Sequence, residues 1–370
     1  MPPQTVNAIN RYGSLLMRFS KFGVTKYDPT RSSPGATLFS PLHQKQAYLI
    51  GMQGEVLHQW DLAAVPGSYG YLLPNGNLLV ATKTENGPAD FRASGGKIEE
   101  LDWDGNIIWE HQDDFQHHDF FRCENGNTIY LRWELIPDEY AVRVNGGEYG
   151  ATHPDGIWGD VIHEVNSSGE TVWKWSMWEN VEIEKYPNAP MSGRREWAHA
   201  NSIKPLPNGD LMVSWRHNNL IAIISKKTGK FNFEWCGPEL GHQHDFQILE
   251  NGNYMVFNNL ALGPPGNGSR VLEFDPKTKE TIWEYTGVPR YTFHSPFISG
   301  AQRLKNGNTL ICEGMWGRIF EVTPDKELVW EYISPYFTDQ NSADPIHNNI
   351  FRAYRYNVDG PEIQNRVSLL

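Results

Sequence analysis

The chain has 370 residues, 13% of them aromatic with 14 Trp, and a formal net charge of −12. That charge excludes nucleic acid and anionic membranes as partners, because both require a basic footprint. Cys123, Cys236 and Cys312 show no CxxC spacing and are odd in number, which argues against a disulfide framework or a structural zinc site.

The first residues, MPPQTVNAINRYGSLLMRFS, lack the apolar run of a secretory signal. No segment approaches the roughly 20 apolar residues of a membrane helix. A cytoplasmic protein without membrane contact is therefore expected. Residues 1–22 read as an N-terminal extension, with helical turns near Ala8–Arg18.

From there the chain repeats itself. Three strands come first, GATLFSP, QAYLIG and EVLHQW. An apolar strand, an Asn-Gly turn and a second apolar strand then recur as YLLPNGNLLVA, FFRCENGNTIYL, IKPLPNGDLMVS, FQILENGNYMVF and QRLKNGNTLICE. Asn-Gly suits a type I′ hairpin, in which both central residues take positive φ. Between these phrases comes a second hairpin whose last strand ends in Trp. The six tryptophans, Trp60, Trp109, Trp173, Trp235, Trp283 and Trp330, are expected to pack between blades.

Two hairpins make one four-stranded antiparallel blade, and the count gives an all-β, six-bladed β-propeller. Innermost strands are expected near Tyr69, His118, Ala200, His244, Phe297 and Asn349. HNNIFRAYRY would join the three N-terminal strands, so that both chain ends close one blade. Residues 1–370 are thus expected to form a single propeller domain. Two long polar insertions, 134–159 and 177–196, interrupt the spacing. A lid over the channel is the sharper reading of them, a decoration or homodimer contact the plainer one. Arg194 and Arg195, in the second insertion, read as solvated.

The histidines cluster at the starts of innermost strands: His117, His118, His199, His242, His244, His294 and His347. His118 and His244 each stand seven residues before the Asn of their turn, so they hold equivalent positions. Such positions face one another across a propeller channel, where imidazoles could serve acid–base, nucleophilic or metal chemistry. The first blade offers Ser68, Tyr69 and Tyr71 instead. Arg216, in SWRHNN, would pair with a sulfate, phosphate or carboxylate.

QHHDF, EWAHANSI, VSWRHNNLIAI, HQHDF and the closing FRAYRY together resemble the motif series of the bacterial arylsulfotransferase family, from about Gly23 to Asp359. The resemblance implies sulfuryl transfer between phenols without a nucleotide donor or other cofactor. It implies His244 as the nucleophile that carries the group, His118 and His199 as assisting imidazoles, and Arg216 as the sulfate clamp. Protonated His118 or His199 is expected to help hold the developing charge. His117, His242, His294, Tyr69, Tyr71 and Asn201 complete the expected site around a small aromatic or anionic substrate. Two other readings stay open. One is a lyase or hydrolase with a divalent metal on His118, His199 and His244 and a carboxylate on Arg216. The other is a non-catalytic, ligand-binding propeller.

Overall fold

A computed structural model of the chain describes residues 18–87, 91, 93–260, 267–338 and 346–367. Apart from Arg18, the turns expected near Ala8–Arg18 lie outside the described residues. The fold is a six-bladed β-propeller, and each blade is built on four antiparallel strands in meander order. Two compact units divide the chain, residues 1–84, 97–112 and 298–370 in one and 85–96 and 113–297 in the other.

The first unit holds three blades. Blade I is formed by Pro66–Leu72, Leu78–Lys83, Gly96–Leu101 and Ile107–Gln112. Blade V contains Gly300–Arg303, Thr309–Glu313, Arg318–Val322 and Leu328–Ile333. A fifth strand, Gly23–Tyr27, pairs with the last of these, which the repeat count missed. In blade VI, Ile350–Asn357 from the C-terminal end pairs with Gly35–Pro41, followed by Gln46–Ile50 and Val56–Asp61, as expected. A buried Arg355–Glu321 ion pair joins blades VI and V inside this unit.

The second unit also holds three blades. Blade II uses Gln116–Arg122, Thr128–Leu135, Trp158–Val165 and Thr171–Ser176. Blade III uses Ala200–Pro205, Leu211–Trp215, Leu220–Ile224 and Phe231–Cys236. Blade IV uses His244–Ile248, Tyr254–Asn258, Arg270–Phe274 and Thr281–Thr286. One apolar cluster fills the space between blades II and III, around Leu131, Val161, Trp175, Trp197 and Trp215. Another lies between III and IV, around Met212, Ile221, Phe246 and Leu272.

The Asn-Gly turns are not type I′. Only their glycines take positive φ, +83° at Gly76 and +85° to +87° in the other four. Each Asn stays on the negative side, because its Oδ1 accepts the backbone N–H two residues on, as Asn75 does from Asn77 at 3.0 Å. The result is a type I turn closed by a left-handed Gly. The Leu73 carbonyl accepts from the Gly76 N–H at 2.8 Å, with matching bonds in the other four turns.

The tryptophans divide into two groups. Trp60 and Trp330 are fully buried and reach the next blade, donating to the carbonyls of Asp102 and Met52. In blade II the same bond, to the Gly229 carbonyl, comes from Trp175 and not from Trp173. Trp109, Trp173, Trp235 and Trp283 are only half-buried. The indole on the face toward the neighbouring blade makes the bond, and a two-residue step along WKW keeps that face.

The two insertions pair with each other. Gly146–Glu148 runs parallel to Asn188–Gly193, and Glu196–Trp197 runs parallel to the start of Trp158–Val165. Arg194 is not solvated, since it donates to the carbonyls of Gly146 and Val144. Among the described residues no helix is long and apolar enough to cross a membrane.

Candidate active site

The innermost strands of blades II, III and IV are irregular where the histidines fall. Register shifts occur opposite His117 to Phe120, between Ala200 and Ser202, and between His244 and Gln247. Bulges of this kind turn side chains away from the regular alternation. His118, His199 and His242 take positive φ, +50°, +59° and +58°. Non-glycine residues rarely hold that conformation, and it concentrates at functional sites. Neighbouring inner strands are tied together: Asp119 accepts the Ile203 N–H, and Ser202 accepts the Phe246 N–H.

Three imidazoles are held from behind through Nδ1. His244 Nδ1 lies 2.8 Å from Asn259 Oδ1 and 3.1 Å from the His242 carbonyl. Asn259 Nδ2 donates to the Ser295 carbonyl at 2.7 Å, which fixes the amide orientation. Both neighbours of Nδ1 are therefore acceptors, so Nδ1 carries the proton and Nε2 the lone pair. His199 Nδ1 lies 2.9 Å from Glu196 Oε2, which also accepts from Trp133 Nε1 at 2.9 Å. His118 Nδ1 lies 2.8 Å from His117 Nδ1. His117 is fully buried, stacked on Trp133 at 4.3 Å, with Nε2 3.4 Å from Asp160 Oδ1.

The rings also touch one another. His118 meets His199 edge to face at 4.5 Å, and His199 stacks on His217 at 4.4 Å. His217 and His242 are 6.1 Å apart. Arg216 follows the end of Leu211–Trp215, its N–H bonded to the His199 carbonyl at 2.9 Å. Its guanidinium has no hydrogen-bonded or ion-paired side-chain partner among the described residues. Burial lowers its pKa to about 10, with Glu196 opposing. Buried Nδ1 atoms of His217 and His242 likewise lack partners among the described residues. Native proteins rarely leave so many buried polar groups unsatisfied, and an absent ligand is one standard reason.

The electrostatics correct one expectation. Burial first, then the Arg216 charge, push His199 to about 3, and His242 follows for the same reasons. His118 and His217 lie well below the ordinary imidazole value, with burial again first and neighbouring His and Arg216 charges next. His118 and His199 are thus neutral near neutral pH and do not carry the positive charge expected of them. Arg216 is the cation of the cluster.

The other expected residues are placed differently. Asn201 Nδ2 donates to the Gln243 carbonyl at 2.7 Å and ties blade III to blade IV. His294 is half-buried and precedes Ser295, the residue that orients Asn259. Tyr69, Tyr71 and His347 belong to the first unit. There Tyr69 stacks on Phe351 at 5.9 Å, Tyr71 lies beside Tyr69, and His347 packs against His43 at 4.0 Å. No group of three or more His, Cys, Asp or Glu among the described residues is arranged to hold a metal ion.

The sequence reading missed Glu196, His217, Asp160, Asn259 and Ser192. Glu196 and His217 sat inside the quoted motifs EWAH and WRH, beside residues that were chosen. Asp160 and Asn259 carry no local signal. Ser192 lies in an insertion, and its Oγ reaches His242 Nε2 at 3.2 Å.

The six-bladed propeller thus sets one arginine among buried, neutral imidazoles. A model of the arylsulfotransferase (ASST) family matches residues 71–335, and the chain belongs to that family. Membership implies an arylsulfotransferase-like enzyme. No curated protein matches the sequence. Among solved structures, a protein of unknown function from Bacteroides caccae is 13% identical, over 87% of this chain and 98% of that one, with a TM-score of 0.55. A streptogramin B lyase is 14% identical over 87% and 83%, with a TM-score of 0.45. Virginiamycin B lyase from Staphylococcus aureus is 13% identical over 87% and 90%, with a TM-score of 0.43. At these identities only the first bears on this chain, and only on its fold.

Proposed function

We propose that the protein moves a sulfuryl group from an aryl sulfate to a phenol through a covalent intermediate on His244. The observation that carries this reading is Arg216, a largely buried guanidinium with no anionic partner among the described residues, set among imidazoles. Its charge acts on His118, His199, His217 and His242 alike. A sulfate ester would supply the missing anion, with two of its oxygens on the planar fork.

His244 Nε2 attacks sulfur as the sulfur–oxygen bond to the aryl group breaks. The phenolate leaves with that electron pair and takes a proton from an assisting imidazole. In the second half the acceptor phenol returns a proton, its oxygen attacks sulfur, and the nitrogen–sulfur bond breaks. Arg216 stabilises the sulfuryl oxygens throughout. The paired insertions serve as a wall that excludes water, held to the site through Ala189 on the His217 carbonyl and Ser192 on His242.

The test is release of 4-nitrophenolate from 4-nitrophenyl sulfate with phenol as acceptor. Phenol accelerates the release, phenyl sulfate accumulates, and His244→Ala abolishes both. Release that ignores phenol and yields inorganic sulfate would point to a hydrolase instead.

A further inference from the structure

The sulfuryl-transfer reading leaves the source of the proton open. Neither assisting imidazole is protonated beforehand, because burial and Arg216 hold both neutral. A neutral imidazole that gave up its only ring proton would become an anion in a buried place, which is costly. The donor must therefore be resupplied from behind as it gives its proton away.

The two carboxylates of the site differ in this respect. Glu196 Oε2 already receives two donors, Trp133 Nε1 and His199 Nδ1, so it acts as an acceptor that fixes the His199 tautomer. Asp160 is different. Its Oδ2 accepts the Ala200 N–H at 2.9 Å, but Oδ1 has no hydrogen-bond partner of good geometry among the described residues. The same holds for Nε2 of His117, 3.4 Å away. Two buried orphan atoms face each other, on side chains 2% and 0% exposed. A proton on Asp160 Oδ1 would satisfy both.

We propose that Asp160, His117 and His118 form a proton relay in which Asp160 stores the proton that reaches the departing phenolate. The proposal rests on the sulfuryl-transfer reading above. In the charged state Asp160 is protonated and donates to His117 Nε2. His117 Nδ1–H donates to His118 Nδ1 across 2.8 Å, and His118 Nε2–H faces the ester oxygen. As the phenolate leaves, it takes the His118 Nε2 proton. His117 passes its Nδ1 proton to His118, and Asp160 passes its own to His117 Nε2. Each imidazole stays neutral, one proton has moved to the phenol, and Asp160 holds the negative charge. The spent state has a lone pair on His118 Nε2, which is the base that the acceptor phenol needs. Its proton runs the chain in reverse. Burial, reinforced by Glu196, raises the Asp160 carboxyl well above its ordinary range, in keeping with a stored proton.

Asp160 and His117 act through His118, so they are positioning and relay residues. Asp160→Asn keeps an acceptor for the Ala200 N–H and a donor toward His117, but cannot release a proton. His117→Gln keeps a hydrogen bond to His118 and breaks the chain. In a single turnover without acceptor, release of the good leaving group from 4-nitrophenyl sulfate should stay within about tenfold of wild type in both variants. With phenyl sulfate, whose phenolate needs protonation, both should lose about 100-fold or more. Equal losses on the two esters, or none on either, would overturn the relay. A second readout does not depend on turnover. The infrared spectrum of the wild-type protein at neutral pH should contain the carbonyl stretch of a protonated carboxylic acid that Asp160→Asn removes and Glu196→Gln retains. A spectrum without that band, or one in which Asp160→Asn leaves it, also overturns the relay. If wild type transfers from neither ester, sulfuryl transfer itself fails, and the band still decides whether Asp160 holds a proton.

Discussion

Asn259 Oδ1 accepts a hydrogen bond from His244 Nδ1 at 2.8 Å, and this contact fixes which nitrogen of His244 carries the proton. The amide cannot turn over, because its Nδ2 is bound to the Ser295 carbonyl. Asn259→Leu removes the acceptor while keeping the shape of the site. Transfer should slow by about 10- to 100-fold, the usual loss on removing an orienting partner. The effect should fall on kcat more than on KM, since no contact to the substrate is removed. Steady-state kinetics with 4-nitrophenyl sulfate measure this, and an effect on KM alone would refute it.

Arg216 is a largely buried guanidinium with no ion-pair partner among the described residues, and such a charge costs stability. Arg216→Gln should abolish transfer by about 100-fold or more. The same variant should melt at the wild-type temperature or above it, since an unpartnered buried charge is gone. Millimolar sulfate should raise the melting temperature of wild type and leave Arg216→Gln unmoved. Thermal shift with and without sulfate checks both statements.

The imidazole cluster sets the acid stability. His117, His199 and His242 titrate in the folded chain at about 3, below the ordinary 6.5, with burial the main cause. His118 and His217 are lowered as well. For depressed imidazoles the unfolded chain binds more protons between the two values. Stability is complete above about pH 6.5 and is lost as pH falls toward 3. Asp160 and Glu196, whose carboxyls are raised, act in the opposite direction, but two groups oppose five. Denaturant melts from pH 8 to 4 should show a steady fall, and His242→Gln should make that fall shallower.

The WKW step in blade II gives a stability contrast between neighbours. Trp175→Phe loses the bond to Gly229 and part of a buried side chain, and should cost about 1–3 kcal/mol. Trp173 is half-buried, and Trp173→Phe should cost below about 1 kcal/mol. Chemical denaturation of both variants decides. A larger loss at Trp173 would show that the motif tryptophan, and not its neighbour, joins the blades.

Much of the fold was legible because a hairpin repeat announces itself locally. Five Asn-Gly phrases and six Trp-ended hairpins gave the blade count, and the half-repeats at the two ends gave the closed sixth blade. The turn type was misread because Asn side chains compete for backbone N–H groups, which spacing does not reveal. The fifth strand at Gly23–Tyr27 was missed because it pairs with Leu328–Ile333, some 300 residues away in the chain.

The site divides in the same way. Sequence by itself determined that His118, His199 and His244 are candidates, since each sits near the start of an inner strand, and that Arg216 is one, since SWRHNN ends the second strand of blade III. It could not decide what stands behind each ring. Glu196 stands only three residues from His199 and His117 next to His118, but Asn259 reaches His244 across the blade IV hairpin and Asp160 reaches His117 across blade II. Those contacts, together with burial, decide tautomer and charge. A histidine's identity is written in the chain, but whether it is acid, base or nucleophile depends on its environment, which only folding assembles.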